Sequence, residues 1–389
     1  MTPAARIQAS IELLDAIIVA ARDGGAAADT IIARYFKTRR YAGSKDRRAV
    51  RDLVYAAIRR SGDRPDSGRA AMIGLAREDR NLAAGFDGSS HGPAPIGADE
   101  AAAERSAVPA WIAPALGDYD VAAMLARAPL DLRVNALRSD RGAVLAALIE
   151  AAPTPHAPLG VRLPEGFPIE AHPLWGAGAV DIQDEGSQLV ALACEARPGL
   201  TVVDLCAGAG GKTLALAADM RGDGRLIACD TNRDRLSRLA PRAERSGAGG
   251  IEQRLLDAGR EAQAVSDLVG QADVVLVDAP CSGTGTWRRN PEARWRLTPE
   301  RIARLTATQA AILDLAATLV KPGGALIYAV CSLLDAEGAD QVDRFMGARA
   351  DWRAEEPFGP AGRSRGRGRT VDPARDGTDG FFVARLRLP

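Results

Sequence analysis

Asp204-Leu205-Cys206-Ala207-Gly208-Ala209-Gly210-Gly211-Lys212-Thr213 follows an apolar run, 201–206, and opens a helical one, 214–220. The stretch therefore reads as strand, glycine turn, helix. A phosphate loop needs a glycine five positions before Gly211, and Cys206 stands there. A dinucleotide fingerprint from Gly208 needs a glycine at 213, and Thr213 stands there. What remains is a tight turn whose bare backbone lets a ligand approach closely. Asp230 ends the next strand, 20 residues after Gly210. An acid at that position suits a ribose diol, so turn and acid together predict a nucleoside-containing ligand without a pyrophosphate.

Outward from this turn, strands and helices alternate. Strands are predicted at 201–206, 225–229, 251–256, 272–277, 325–330 and 381–388, with helices at 214–220, 233–247 and 301–320. Such alternation predicts an α/β domain with a mostly parallel sheet covered on both faces. In an open parallel sheet, ligands bind beyond the carboxyl ends of the strands. Here those ends carry the glycine turn, Asp230, Asp257, Asp278 and Cys331. Towards the N-terminus, Ile7, Ile11, Leu14 and Ile18 form a helical stripe, and 61–104 is rich in Gly, Asp, Ser and Pro. Residues 130–137, 141–151 and 160–163 read as a βαβ segment of a smaller module ending near Val180.

Composition narrows the function classes. The 389 residues carry 50 Lys+Arg against 50 Asp+Glu and are 47% hydrophobic, which suits several buried cores. The longest apolar run near the start, 16–21, is too short for a signal peptide, and no run approaches a membrane span. Five scattered cysteines and three histidines, without a CxxC pair, predict neither a disulfide framework nor a metal site, and point to the cytoplasm. Residues 1–60 hold 12 Lys+Arg and 6 acids, a local excess that suggests a polyanion partner. Only four of the 50 basic residues are lysines, so Lys212 inside the glycine turn marks a specific need.

Two cysteines stand out. Asp278-Ala279-Pro280-Cys281-Ser282-Gly283-Thr284-Gly285 follows one strand, and Tyr328-Ala329-Val330-Cys331-Ser332 closes another. Cys194 and Cys229 read as small buried hydrophobes. Cys281 and Cys331 instead sit at strand ends beside carboxylates.

These segments, DLCAGAGGKT, DAPCSGTGT and YAVCS in this order, resemble the RNA cytosine-carbon-5 methyltransferases of the Sun/Nop type. Arg133-Val134-Asn135, the 183–187 run QDEGS, Gln309 and Asp379-Gly380-Phe381-Phe382 are similar to further pieces of that family. The resemblance is clear over 105–389, and looser over 4–60, which is similar to a helical NusB-like RNA-binding domain. It implies a Rossmann-like class I methyltransferase domain with a mostly parallel seven-stranded sheet. The implied division is a helical RNA-binding domain at 1–85, a linker at 86–104, a small α+β RNA-binding module at 105–180 and the methyltransferase domain at 181–389.

The resemblance also implies an activity: methyl transfer from S-adenosyl-L-methionine to carbon 5 of a cytosine in RNA, small-subunit ribosomal RNA first among candidates. Carbon 5 is a poor nucleophile until a thiolate adds to carbon 6. By resemblance that thiolate is Cys331, whereas the Pro-Cys turn alone would have favoured Cys281. Cys281 then assists product release, Asp278 hydrogen-bonds the base near nitrogen 3, and Lys212 helps orient it. Cys206, Ala207, Gly208, Ala209, Gly210, Gly211 and Lys212 would cradle the methionine part, Asp230 the ribose and Asp257 the adenine, with Asp278 alongside. The chain is expected to act as a monomer on RNA, with no metal and no membrane.

Arg288, Arg289, Arg294 and Arg296 interleaved with Trp287 and Trp295 suggest phosphate contact and base stacking. Arg363, Arg365, Arg367 and Arg369 read as a mobile basic loop. A methyltransferase acting on an exocyclic or protein amide nitrogen is disfavoured, because Asp278-Ala279-Pro280-Cys281 replaces the Asn-Pro-Pro-aromatic turn of such sites. An RNA-binding factor with an inactive methyltransferase fold would lack a thiol or a strand-end acid, and none is missing.

Overall fold

A computed structural model describes all 389 residues and divides into two compact units. The first comprises Met1–Ala126 and Thr286–Pro299; the second comprises Arg127–Gly285 and Glu300–Pro389.

The first unit is helical, with helices Pro3–Asp23, Ala28–Lys37, Ser44–Arg60, Gly68–Ala76 and Arg80–Ala84. Thr2 caps the first helix by accepting from the Ala5 amide at 3.2 Å, and Gly24 ends it with φ of 73°. The stripe Ile7, Ile11, Leu14, Ile18 is buried, as its spacing predicted, and packs with Val54, Ile58 and Met72. Each such side chain contributes about 1.5–3 kcal/mol of burial.

The stretch read as a linker, 86–104, is tied down in this unit. Arg69 pairs with Glu100 at 2.5 Å, and Arg60 donates to the Ala103 carbonyl at 2.7 Å. The unit also runs on to Ala126, past the boundary read at 104–105.

The sequence pattern assigns residues 286–299 to the methyltransferase domain and to RNA stacking, but the structure puts them in the helical unit. Trp287 and Trp295 are buried, and Trp295 Nε1 donates to the Ser61 carbonyl at 2.8 Å. Arg294 is fully buried and donates to the carbonyls of Ile58 (2.7 Å), Pro291 (2.9 Å) and Ala107. Rings closed off in a core cannot stack on bases.

The second unit opens with an antiparallel sheet of strands β1 (Leu130–Val134), β2 (Ala152–Pro153), β3 (Gly160–Leu163) and β4 (Val180–Ile182), in the order β2-β3-β1-β4. The βαβ reading implied parallel strands, but β1 and β3 pair antiparallel, Leu130 opposite Leu163. The intervening helix Arg141–Ala147 is short, and β2 follows it to form the far edge of the sheet.

The large sheet holds nine strands: β5 (Thr201–Asp204), β6 (Arg225–Asp230), β7 (Ile251–Leu255), β8 (Ala272–Asp278), β9 (Val320–Val330), β10 (Arg353–Glu355), β11 (Arg363–Arg365), β12 (Gly368–Val371) and β13 (Phe381–Arg387). Strands β7-β6-β5-β8-β9 run parallel, and β13, β12, β11 and β10 add antiparallel. The α/β class stands, with nine strands where seven were expected. The two-strand excess includes the segment read as a mobile basic loop. There β11 and β12 form a hairpin, and Arg365, Arg367 and Arg369 pair with Asp335, Asp343 and Glu356. Its charges are answered within the chain.

The helix read at 233–247 is broken into Arg233–Leu236 and Leu239–Ser246. Pro241 lies in the first turn of the second piece, where its missing N–H is tolerated but would interrupt a continuous helix. The order β6-β5-β8 matters most for function. The chain steps from β5 to one side and returns on the other, so a crevice opens between the ends of β5 and β8.

Candidate active site

The turn after β5 lies at that crevice. Gly208 and Gly210 have φ of 57° and 84°, a left-handed region glycine enters without steric cost. A Cβ on Gly210 would also lie 2.2 Å from Leu239, whereas around Gly208 and Gly211 there is open space. The Gly208 amide donates to Asp230 at 2.7 Å, which locks the turn to the end of β6.

Beside the turn is a cavity of about 240 Å³, lined by Asp204, Cys206, Ala207, Gly211, Lys212 and Asp278, and also by Ile182, Gln183, Asp184, Ser187 and Arg242. Lys212 Nζ reaches across the crevice to Asp278 Oδ2 at 2.7 Å. Burial pulls the Lys212 ammonium down, but Asp278 outweighs it and the net displacement is upward. Asp204 accepts from Thr213 Oγ1 at 2.6 Å, while its Oδ1 is buried without a partner. Burial pushes this acid up to about 7. Desolvation in this half-buried position raises the Cys206 thiol well above the ordinary range.

Strands β8 and β9 are parallel neighbours, with Asp278 opposite Ala329. Their register carries the two thiols to one place: Cys281 Sγ lies 3.3 Å from Cys331 Sγ. The Ala279 amide donates to the Ala329 carbonyl, and the Gly285 amide to the Cys331 carbonyl, so the two loops continue the pairing beyond the strands. The Cys281 thiol is raised by its hydrogen bond with Cys331, then by burial and by the nearby charge of Glu337.

Residues 191–387 match the family described as 16S rRNA methyltransferase RsmB/F. The chain belongs to this family. It is 37% identical over 270 residues to the probable ribosomal RNA small subunit methyltransferase B of Synechocystis, covering 66% of this chain and 60% of that protein. It is 35% identical over 273 residues to ribosomal RNA small subunit methyltransferase B of Xylella fastidiosa, covering 68% and 63%. The match thus spans less than two thirds of those relatives' length. Among solved structures, the crystal structure of PH0851 superposes with a TM-score of 0.80 over 99% of both chains at 22% identity, a likeness of fold. A methyltransferase homolog protein from Pyrococcus horikoshii superposes with a TM-score of 0.61 at 26% identity, over 69% of this chain and 89% of that one.

Within this RsmB/F family member, Cys206, Ala207, Gly211, Lys212 and Asp278 line the cavity; Gly208, Ala209, Gly210 and Asp230 belong to the turn and its anchor without lining it, and Cys281 and Cys331 meet each other. Asp257 is also outside the lining, exposed beyond β7. Asp204, Gln183, Asp184, Ser187 and Arg242 line the cavity without having been assigned. The 183–187 run was the available signal for three of them. Nothing in the local sequence marks Arg242, whose Nη1 donates to the Ala209 carbonyl at 2.7 Å. Cys194 and Cys229 are buried, as read. No helix is long and apolar enough to cross a membrane.

Proposed function

We propose that this protein transfers a methyl group from S-adenosyl-L-methionine to carbon 5 of a cytosine in small-subunit ribosomal RNA, through a transient bond between cysteine and cytosine. One observation carries the reading: two thiols in contact at 3.3 Å, on adjacent strand ends beside the Lys212–Asp278 pair.

The cavity suits the cofactor. An unpartnered buried oxygen of Asp204 calls for a cation or a donor, and the open space around Gly208 and Gly211 admits a ligand against bare backbone. Cys206 to Lys212 would hold the methionine part and Asp230 the ribose. Asp257, by family resemblance, would face the adenine. S-adenosyl-L-methionine supplies an electrophilic methyl group.

The chain's own residues would do the rest. The Cys331 thiolate adds to carbon 6, and the displaced π electrons make carbon 5 nucleophilic. Asp278 would share a proton with the ring near nitrogen 3, and the Lys212 ammonium paired to it at 2.7 Å offsets the negative charge that develops there as the thiolate adds. Once carbon 5 carries the methyl group, its hydrogen leaves as a proton to solvent water. The electron pair of that bond re-forms the double bond and expels the Cys331 thiolate. Cys281 assists this release. The division of roles between Cys331 and Cys281 follows the family resemblance, and the contact of the two sulfurs at 3.3 Å supports their acting on one base. The target base must leave its stack to reach both sulfurs.

All these groups come from one chain, so a monomer suffices. Five unpaired cysteines fit a reducing cytoplasm. The basic N-terminal helices and the β1–β4 module would dock the RNA. The test is incubation with methyl-labelled cofactor and unmodified ribosomal RNA, followed by nucleoside digestion. Label in 5-methylcytosine is the expected result. RNA binding without label would favour the alternative, an assembly factor with an inactive fold.

A further inference from the structure

Beneath the two thiols lies a buried carboxylate that the proposed chemistry leaves without a task. Glu337 is fully buried, yet every partner it has is a neutral donor. Its Oε1 accepts from the Ser282 amide at 2.8 Å and from Gln309 Nε2 at 3.1 Å. Its Oε2 accepts from the Ser332 hydroxyl at 2.6 Å and from the Ser282 hydroxyl. Burying a carboxylate without a cation is costly, so its retention calls for a reason. The reason lies in which residues it binds. Ser282 follows Cys281, and Ser332 follows Cys331. One carboxylate therefore grips the residue next to each sulfur. Thr284 closes the ring, with its Oγ1 3.1 Å from Ser332 Oγ and accepting from the Leu333 amide at 2.8 Å.

We propose that Glu337 is a positioning residue whose carboxylate clamps the two thiol loops together, so that both sulfurs address one base. The catalytic part of this rests on the methyl-transfer reading above; the clamp itself does not. The same negative charge helps hold Cys281 as a thiol. Gln309, donating both to Glu337 and to the Pro280 carbonyl at 3.0 Å, braces the clamp from the helix Pro299–Leu319.

The clamp can be measured without RNA or cofactor. Diamide oxidises two adjacent thiols to a disulfide: two S–H bonds are lost, one S–S bond forms, and two protons and two electrons reduce diamide to its hydrazine. In the full-length protein the Cys281–Cys331 disulfide is expected to form readily, scored by peptide mass spectrometry. Glu337→Ala should slow it at least tenfold, with S-adenosyl-L-methionine affinity within threefold of wild type. Glu337→Gln keeps an acceptor for the amides and a donor the hydroxyls can rotate to meet, and should restore most of the rate. In turnover, Glu337→Ala should lower kcat about a hundredfold while KM for RNA changes little. Should Glu337→Ala fail to fold, Ser282→Ala/Ser332→Ala removes the hydroxyl donors and should show the same slowing. Cross-linking at the wild-type rate in the folded variant, or equal loss in Glu337→Gln and Glu337→Ala, overturns the clamp. An intact cross-linking pattern with no methyl transfer by the wild type would instead sink the functional reading.

Discussion

Sulfur chemistry at two positions dominates the residue scale. Cys331→Ala should abolish covalent capture of RNA and reduce turnover by three orders of magnitude or more, roughly the loss expected when a covalent nucleophile is removed. Cys281→Ala should instead accumulate a protein–RNA adduct that survives a denaturing gel, because addition proceeds and release stalls. Wild-type turnover in Cys331→Ala would exclude it as the nucleophile. Asp204 gives a pH dependence. Its folded value near 7 lies above the ordinary 3.8, so the folded state holds a proton that the unfolded chain has lost. Stability from this group is full below pH 4 and is lost as pH rises to about 7. Cofactor binding should run the other way. A cationic ligand favours the carboxylate, so affinity should climb with pH up to about 7 and then level off. Calorimetric titration across pH 5.5–8.5 checks this, and Asp204→Asn should flatten the curve.

Loops joined backbone to backbone hold the site together at the scale of elements. The Gly380 amide donates to the Gly285 carbonyl at 2.8 Å, and a Cβ on Gly285 would lie 2.0 Å from the Gly380 carbonyl oxygen. No side chain fits between these segments. Gly285→Ala should therefore displace the loop that pairs with Cys331, costing about 1–3 kcal/mol in denaturant unfolding and lowering kcat more than cofactor affinity. Gly347→Ala, in the last position of the helix Ala339–Gly347 with open space around its Cβ position, should leave both unchanged. The DGFF run was legible as a family-like piece. Why it needs its glycine was not legible, because the neighbour that forbids a side chain lies 95 residues away.

For the whole molecule, the two units interleave in sequence, and segment 286–299 belongs to the helical unit although it directly follows the Cys281 loop. Arg294 ties it there through the carbonyls of Ile58 and Ala107, and braces the segment itself through that of Pro291. Arg294→Ala should leave those acceptors unpaired and cost on the order of 3 kcal/mol, read from urea unfolding of the full chain. A chain beginning at Arg127 would strand Trp295 without the helices that bury it. Size-exclusion chromatography should then show aggregate, whereas independent domains divided at residue 180 would predict a well-behaved fragment.

Read alone, the sequence determined what depends on local pattern: the strand–turn–helix at the glycine run, the acids at strand ends, the helical stripe in 7–18, and the burial of Cys194 and Cys229. Turn chemistry and periodicity act over a few residues, so they are written in order along the chain. Tertiary structure alone decided the rest. It set the antiparallel pairing of β1 with β3, the hairpin that answers Arg365, Arg367 and Arg369, the burial of Trp287 and Trp295, and the carboxylate of Glu337 beneath both thiols. Each of these depends on partners that are distant in sequence or belong to another element, and a pairing of that kind leaves no periodic trace at either end.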